Sequence, residues 1–297
     1  MKILFVAVFD DKGKSSNNAQ AVGLEKLGHD VVRYNYRIRA GRIGPENRDQ
    51  ELVDICRTIS PDAAIFSKTN TINLNVFEEC KKICPVCYWF PDPLQTFDNP
   101  EFLAMTKLSD VFCCDKKNVM EKARQELNEN SFVVFDGYDP ELEYPRDVEK
   151  DLDVSFIGSI YGDRLEKFKK IKFPCAIAQS AYGDDHSIVV SRSKINLNFC
   201  TSLGASDRTY KVMAAGGFYL TDDWIGRDEI FVDGEHLVIY KDMDDLNEKI
   251  AYYLANEEER ERIATAGMQV VQPFSRYAWA ESISDILENE ITKRRQD

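Results

Sequence analysis

The segment from Arg208 to Asp222 carries residue types that are suited to holding a diphosphate. Arg208 and Lys211 lie near the start of a predicted helix, and Gly216 and Gly217 end it. The free N–H groups and the dipole of a helix N-terminus attract anions, and an arginine adds a planar fork of donors. We therefore predict an anion site here, in which Arg208 and Lys211 are catalytic because they stabilise a leaving diphosphate.

Each of these residues also has a purely structural interpretation. The glycine pair alone is a common helix stop, Asp222 can be no more than a strand end, and Arg208 can be a surface arginine. A motif match is a hypothesis that needs its structural context. The interpretation as a site depends on these residues occurring together and in this order.

Two residues of the first half of the chain, Asp92 and Lys68, follow apolar runs that are typical of buried strands. Pro91 and Pro93 stiffen the turn around Asp92. A carboxylate within hydrogen-bond reach of an acceptor hydroxyl can take its proton. We predict that Asp92 is this catalytic base. We also predict that Lys68 lies with it on the acceptor side of the site, where the substrate that carries the hydroxyl binds. A structural turn aspartate is the alternative.

The loop after the first predicted strand contains Gly13, Ser15 and Ser16, which we also assign to the acceptor side. It lacks the G-x-G-x-x-G pattern, so the sequence does not support dinucleotide binding of the usual Rossmann kind. The alternative for this loop is a helix cap built from serine and asparagine.

Cys80, Cys84 and Cys87 have the C-x3-C-x2-C spacing with which radical-SAM enzymes hold an iron–sulfur cluster. The context favours buried core thiols, since Cys80 and Cys84 are four residues apart on a predicted helix and Cys87 lies in the next strand. Zinc-site spacing is absent, and we predict no bound metal.

The elements that must position these residues alternate along both halves of the chain. Apolar runs that read as buried strands are separated by amphipathic helices, a pattern that predicts parallel sheets covered on both faces. The charged, proline-containing stretch 136–151 reads as a linker. We expect an α/β fold of two Rossmann-like doubly wound domains, 1–140 and 150–273, that face a cleft.

A last predicted helix, at about 275–297, carries an apolar stripe that includes Trp279, Ile283 and Leu287. We expect this helix to pack back on the N-terminal domain.

The composition limits the classes of partner and compartment. The net charge of −13 argues against nucleic acid as a partner, because binding to phosphate backbones requires lysine and arginine. One cluster of Arg33, Arg37, Arg39 and Arg42 is either a solvated surface or an anion site.

The sequence has no apolar run of about 18 residues, its start reads as a buried strand, and its eight cysteines suit a reducing compartment. We expect a cytoplasmic protein.

The second half resembles the donor-binding half of B-type glycosyltransferases (the GT-B fold), and most closely their CgeB-like, spore-maturation branch, within the wider glycosyltransferase group 1. The matching motifs are Arg208-Thr209-Tyr210, Ala215-Gly216-Gly217, Leu220-Thr221-Asp222, Tyr240-Lys241-Asp242, Tyr252-Tyr253-Leu254 and Arg262-Ile263-Ala264. Gly137-Tyr138-Asp139-Pro140 resembles the interdomain linker, and 153–159 resembles the first strand and turn of the donor domain. The predicted donor-binding residues are Gly158, Ser159, Arg164, Asn198, Arg208, Thr209, Tyr210, Lys211, Gly216, Gly217 and Asp222.

This resemblance implies sugar transfer from a UDP- or GDP-sugar to an acceptor hydroxyl, with no cofactor. It also implies that the N-terminal domain binds the acceptor and the C-terminal domain binds the donor. The acceptor could be a glycan, a lipid, a small molecule, a protein or a modified nucleobase. The chain departs from the common pattern, because Leu203 and Lys211 stand where many relatives carry two glutamates, and the ribose would need another carboxylate such as Asp222, Asp223 or Glu229. A nucleotide-sugar epimerase, a hydrolase and a non-catalytic binding protein of the same fold are the alternatives.

Overall fold

Strands and helices alternate along both halves of the chain, as the apolar runs predict. The computed structural model describes residues 1–10, 15–200 and 206–296. The strands of the first half are β1 (Lys2–Ala7), β2 (Asp30–Asn35), β3 (Ala63–Ser67), β4 (Val86–Phe90), β5 (Val111–Cys114) and β6 (Ser131–Val133). Those of the second half are β7 (Leu152–Ile157), β8 (Cys175–Ala178), β9 (Ser193–Leu197), β10 (Tyr219–Thr221) and β11 (Val238–Ile239).

The helices lie mainly in the connections between these strands. Those before β7 are α1 (Ser16–Lys26), α2 (Tyr36–Ile43), α3 (Pro45–Ile59), α4 (Leu74–Lys81), α5 (Leu94–Phe97), α6 (Pro100–Leu108) and α7 (Lys117–Glu126). Those after it are α8 (Arg164–Lys170), α9 (Asp184–Arg192), α10 (Asp207–Ala214), α11 (Met243–Ala255), α12 (Glu257–Val270) and α13 (Arg276–Arg294), with a 3-10 turn at Arg227–Glu229.

The chain divides into two compact units. One contains Met1–Asp136 and the C-terminal helix from Arg276 onward, and the other contains Gly137–Ser275. The first holds a sheet of order β2-β1-β3-β4-β5-β6 and the second a sheet of order β11-β10-β9-β7-β8. Every strand pair in both sheets is parallel. The predicted fold class, two doubly wound parallel-sheet domains, is confirmed.

Each sheet presents the carboxyl ends of its strands along a single edge, because all its strands run the same way. Residues that follow β3, β4 and β5 are therefore neighbours in the first unit, and residues that follow β7, β9 and β10 are neighbours in the second. Lys68 and Asp92 follow β3 and β4, and Gly158, Asn198 and Asp222 follow β7, β9 and β10.

The three cysteines of the C-x3-C-x2-C pattern lie on two different faces of the first sheet. Successive side chains of a strand point to opposite faces. Cys80 and Cys84 pack with Tyr88 in the core on one face, whereas Cys87 packs with Trp89 on the other. Three thiols divided by a sheet cannot hold one cluster, so the core interpretation is correct and the radical-SAM alternative is wrong.

The C-terminal helix α13 packs on the first sheet, as predicted. Trp279 is buried, its ring stacks at 6.2 Å on Phe5, and it meets Trp89 edge-on at 5.5 Å. Close contact with α1 depends on Gly23, where a Cβ would lie 3.0 Å from the Cβ of Ala280. Among the described residues, no helix is long and apolar enough to cross a membrane.

Candidate functional site

In the second unit, the turn after β7 brings the backbone of Gly158 against the side chain of Arg208. Gly158 has a φ of +147°, and a Cβ at this position would clash with Nη2 of Arg208 and lie 3.2 Å from its Cζ. Glycine therefore serves two needs here, the backbone conformation and the close approach of the guanidinium.

The guanidinium of Arg208 is held by residues at the ends of neighbouring strands. Its Nη1 donates to Oδ1 of Asn198 at 2.5 Å, and its Cζ lies 5.2 Å from the ring centroid of Phe156. Asn198 is itself fully buried, donates to Oγ1 of Thr221 at 3.1 Å and accepts at its carbonyl from the Tyr240 hydroxyl. These contacts fix the position of the charge without neutralising it.

A second guanidinium, that of Arg164, lies beside the same turn. Its Nη1 donates to the carbonyl of Ser159 at 2.8 Å, its Nη2 donates to the carbonyl of Phe199 at 2.9 Å, and its Cζ lies 4.2 Å from the Tyr161 ring centroid. Burial lowers the pKa of Arg164, and the nearby charge of Arg208 acts in the same direction. Two cations placed this close together favour the binding of an anion.

Lys167, which the sequence analysis missed, extends this basic group. Its Nζ lies 3.0 Å from Oδ2 of Asp163 and 3.9 Å from Oδ2 of Asp222. The other oxygen of Asp222 accepts from the backbone N–H of Cys200 at 2.5 Å. The position of Lys167, one helical turn after Arg164 on α8, is the sequence signal that could have revealed it.

Lys211 does not offer a free charge. Its Nζ lies 2.6 Å from Oδ2 of Asp207, four residues earlier on α10. The first turn of this helix, which Ser206 caps, therefore carries an ion pair where the sequence suggested an unpaired lysine. Asp223, one of the ribose candidates, is likewise paired with Arg227 at 3.0 Å. Leu203 lies outside the described residues.

Thr209, Tyr210, Gly216 and Gly217 have structural roles in the positioning of α10. Thr209 is buried and its hydroxyl lies 3.2 Å from that of Tyr219, while Tyr210 packs its ring on two other aromatic rings. Gly216 has a φ of +73°, and a Cβ on Gly217 would clash with two valine side chains. The contacts of the glycine pair are those expected where glycines end a helix.

In the first unit, Lys68 and Asp92 form an ion pair. They follow the neighbouring strands β3 and β4, and the N–H of Lys68 donates to the Trp89 carbonyl at 2.8 Å. The structure thus brings these two predicted acceptor-side residues together.

Ser15 caps α1, as the structural alternative predicted. Its Oγ accepts from the N–H of Asn17 at 3.3 Å and donates to the Val8 carbonyl at 2.8 Å, and Ser16 begins the helix. Asn17, which the sequence analysis did not single out, accepts from the hydroxyl of Ser67 at 2.6 Å. Gly13 lies outside the described residues.

A buried ion pair after β5 supports the turn that carries Asp92. The Nζ of Lys116 lies 2.6 Å from Oδ1 of Asp115 and donates to the carbonyl of Pro91 at 2.6 Å. Burial raises the pKa of Asp115 to about 7, against the opposing effect of Lys116. Sequence reasoning missed this pair, because a charged dipeptide ordinarily lies on the surface.

Comparison with known proteins gives one family match and several solved structures of similar fold. Residues 145–288 match the family model described as "Glycosyl transferase-like". No curated protein matches the chain.

Solved structures of glycosyltransferases share the fold. HepE from Anabaena in complex with UDP-glucose is 10% identical, with a TM-score of 0.74 over 97% of this chain and 100% of that one. Sucrose-phosphate synthase from Thermosynechococcus elongatus is 10% identical, with a TM-score of 0.74 over 99% and 100%. The lipopolysaccharide outer core galactosyltransferase WaaB is 10% identical, with a TM-score of 0.65 over 98% and 100%. At these identities the similarity establishes the fold, which is that of the GT-B glycosyltransferases.

The buried carboxyl of Asp115 should make stability depend on pH. The folded chain keeps its proton up to about pH 7, whereas the unfolded chain loses it near 3.8. The free energy of unfolding should therefore fall as pH rises through this window, relative to the Asp115→Asn variant, by at most about 4 kcal/mol. Urea unfolding of both proteins between pH 4 and 8 measures this. The control variant is Asp98→Asn, which changes an exposed carboxylate paired with Lys122. A constant difference between wild type and Asp115→Asn across the range would show that Asp115 does not titrate in this window.

Proposed function

We propose that this chain transfers a sugar from a nucleoside diphosphate sugar to an acceptor hydroxyl. The observation that carries the proposal is the guanidinium of Arg208, fixed against the turn after β7 by Asn198 and by the Phe156 ring. The glycosyl transferase-like match spans this site. UDP-glucose is bound by one of the proteins of similar fold, which favours a uridine nucleotide as the first donor to test.

The chemistry follows from the placement of the charges. The bond between the anomeric carbon and the diphosphate oxygen breaks, and its electron pair leaves with the diphosphate. Arg208 and Arg164 would stabilise the negative charge that develops there. In the first unit, Asp92 would take the proton of the acceptor hydroxyl, with Lys68 as its ionic partner.

Replacement of Arg208 should weaken donor binding specifically. We expect Arg208→Gln to lower the affinity for UDP about 10- to 100-fold, since one charge-assisted interaction is lost. Calorimetry measures the affinity, and circular dichroism checks the fold. The control is Arg262→Gln, which changes an exposed arginine of α12 that donates to the Gly234 carbonyl. If the two variants bound UDP with equal affinity, Arg208 would not be part of the donor-binding site.

The same proteins separate an enzyme from a binding protein. Wild-type chain incubated with UDP- and GDP-sugars should release the nucleotide in the presence of an acceptor, and mass spectrometry identifies the glycoside. Binding without turnover would support the non-catalytic alternative, and a changed or hydrolysed sugar without acceptor would support epimerase or hydrolase activity.

We further propose that transfer needs no metal ion, because the basic side chains around the turn supply the positive charge. Nucleotide release should then be unchanged when EDTA is added. A loss of activity that Mg²⁺ or Mn²⁺ restores would contradict this part of the proposal.

We also propose that the protein works in the cytoplasm. All eight cysteines are free thiols, and six of them are buried, which suits a reducing compartment. Thiol titration of the denatured protein, isolated under conditions that block thiol exchange, should find all eight reactive. Disulfides in that sample would argue for an oxidising compartment.

A further inference from the structure

The hydroxyl of Tyr36 connects the first turn of α2 to the loop that follows β3. Its ring is buried in the core, and its hydroxyl donates to Oδ1 of Asn70 at 2.7 Å. The same hydroxyl accepts from Nε of Arg37 at 3.1 Å and lies 3.4 Å from the carbonyl of Lys68. Arg37 is therefore connected, through the Tyr36 hydroxyl, to Asn70 in the loop that begins at Lys68, the ionic partner of Asp92.

Arg37 differs from its neighbouring arginines in the charge of its partners. Three of them are paired with carboxylates, in the pairs Arg33–Glu25, Arg39–Glu51 and Arg48–Asp49. The contacts of Arg37 are to neutral oxygens, the Tyr36 hydroxyl and Oδ1 of Asn70, the latter at 3.2 Å. Neutral acceptors orient a guanidinium but leave its charge uncompensated.

The loop after β3 has the backbone strain that is typical of functional sites. Lys68 has a φ of +42° and Thr71 a φ of +64°, a region that is costly for residues with a Cβ. The fully buried Arg48 holds this loop in place, because its guanidinium donates to the Thr71 carbonyl. Asn70, between the two strained residues, is thus presented to Arg37 in a fixed place.

We infer that the acceptor carries an anionic group, a carboxylate or a phosphate, which Arg37 binds while the acceptor hydroxyl reaches Asp92. This inference rests on the proposed function. Two carboxylates of the same region have partners, since Asp92 pairs with Lys68 and Glu101 accepts from the N–H of Thr71. Within the part of the chain that the structure describes, Arg37 is a basic group of this region whose side-chain contacts are to neutral oxygens, and its planar fork fits both oxyanions.

The anionic group takes no part in bond changes. The acceptor oxygen forms a bond to the anomeric carbon, the bond to the diphosphate breaks, and the hydroxyl proton passes to Asp92. The role of Arg37 is to set which acceptors bind, so its loss should raise KM more than it lowers kcat.

The inference can be tested on the whole chain with simple anions. Sodium phosphate and sodium acetate are titrated at constant ionic strength while NMR follows the side-chain Nε–H signals of the arginines. The signal of Arg37, assigned by its loss in Arg37→Gln, should shift and saturate with at least one anion. The anion that binds more tightly indicates whether the acceptor group is a phosphate or a carboxylate. Arg42, exposed on the same helix, is the internal control. Equal responses of Arg37 and Arg42, or no response to either anion, would overturn the inference.

A second readout uses UDP-glucose as donor with glucose, glucose 6-phosphate and glucuronate as acceptors, which differ only at one carbon. We expect an anionic acceptor to be preferred, with KM raised about 10- to 100-fold in Arg37→Gln and unchanged in Arg42→Gln. Asn70→Ala should show a smaller rise in the same direction. Preference for neutral glucose would count against the inference. UDP affinity is measured in each variant. Loss of UDP binding by the wild-type chain would refute the proposed function, whereas UDP binding together with no anion response of Arg37 would refute this inference alone.

Discussion

The contact between Arg208 and Gly158 joins two elements that are fifty residues apart in the chain. The guanidinium occupies the space that any Cβ would need, and Asn198 and the Phe156 ring hold it there. Because the group is fixed before any ligand arrives, it needs no reorganisation when negative charge develops on a leaving diphosphate. The buried strand ends around it, including Thr221 and the hydroxyl of Tyr240, serve to keep that geometry.

The first unit uses the same construction with different charges. Its parallel strands deliver Lys68 and Asp92 to one edge, where they pair. Behind them, Lys116 holds the carbonyl of Pro91 and is matched by Asp115. A buried ion pair rarely stabilises a fold enough to offset its desolvation, so its location directly behind the turn of Asp92 favours a positioning role. In both units, a buried polar network at the carboxyl ends of the strands fixes the position of a charged residue.

The sequence was sufficient for the fold and for part of the site. The continuous apolar run of β4 predicted a strand buried on both faces, and the sequence placed Lys68 and Asp92 at the ends of two such strands. That these strands are neighbours is known only from the structure. Contacts that depend on the tertiary structure could not be predicted from the sequence in this way. Burial of the Asp115–Lys116 dipeptide depends on helices far away in sequence, and the division of Cys84 from Cys87 depends on which face of the sheet each one meets. The pairing of Lys211 with Asp207 was accessible, since their spacing of four on one helix is a standard ion-pair distance.

The central claim is that Arg208 binds the diphosphate of the donor. A crystal structure of the chain with UDP-glucose tests it most directly. The account predicts diphosphate oxygens within hydrogen-bond distance of the Arg208 guanidinium, beside the turn at Gly158. A nucleotide bound with its diphosphate away from Arg208 would contradict it.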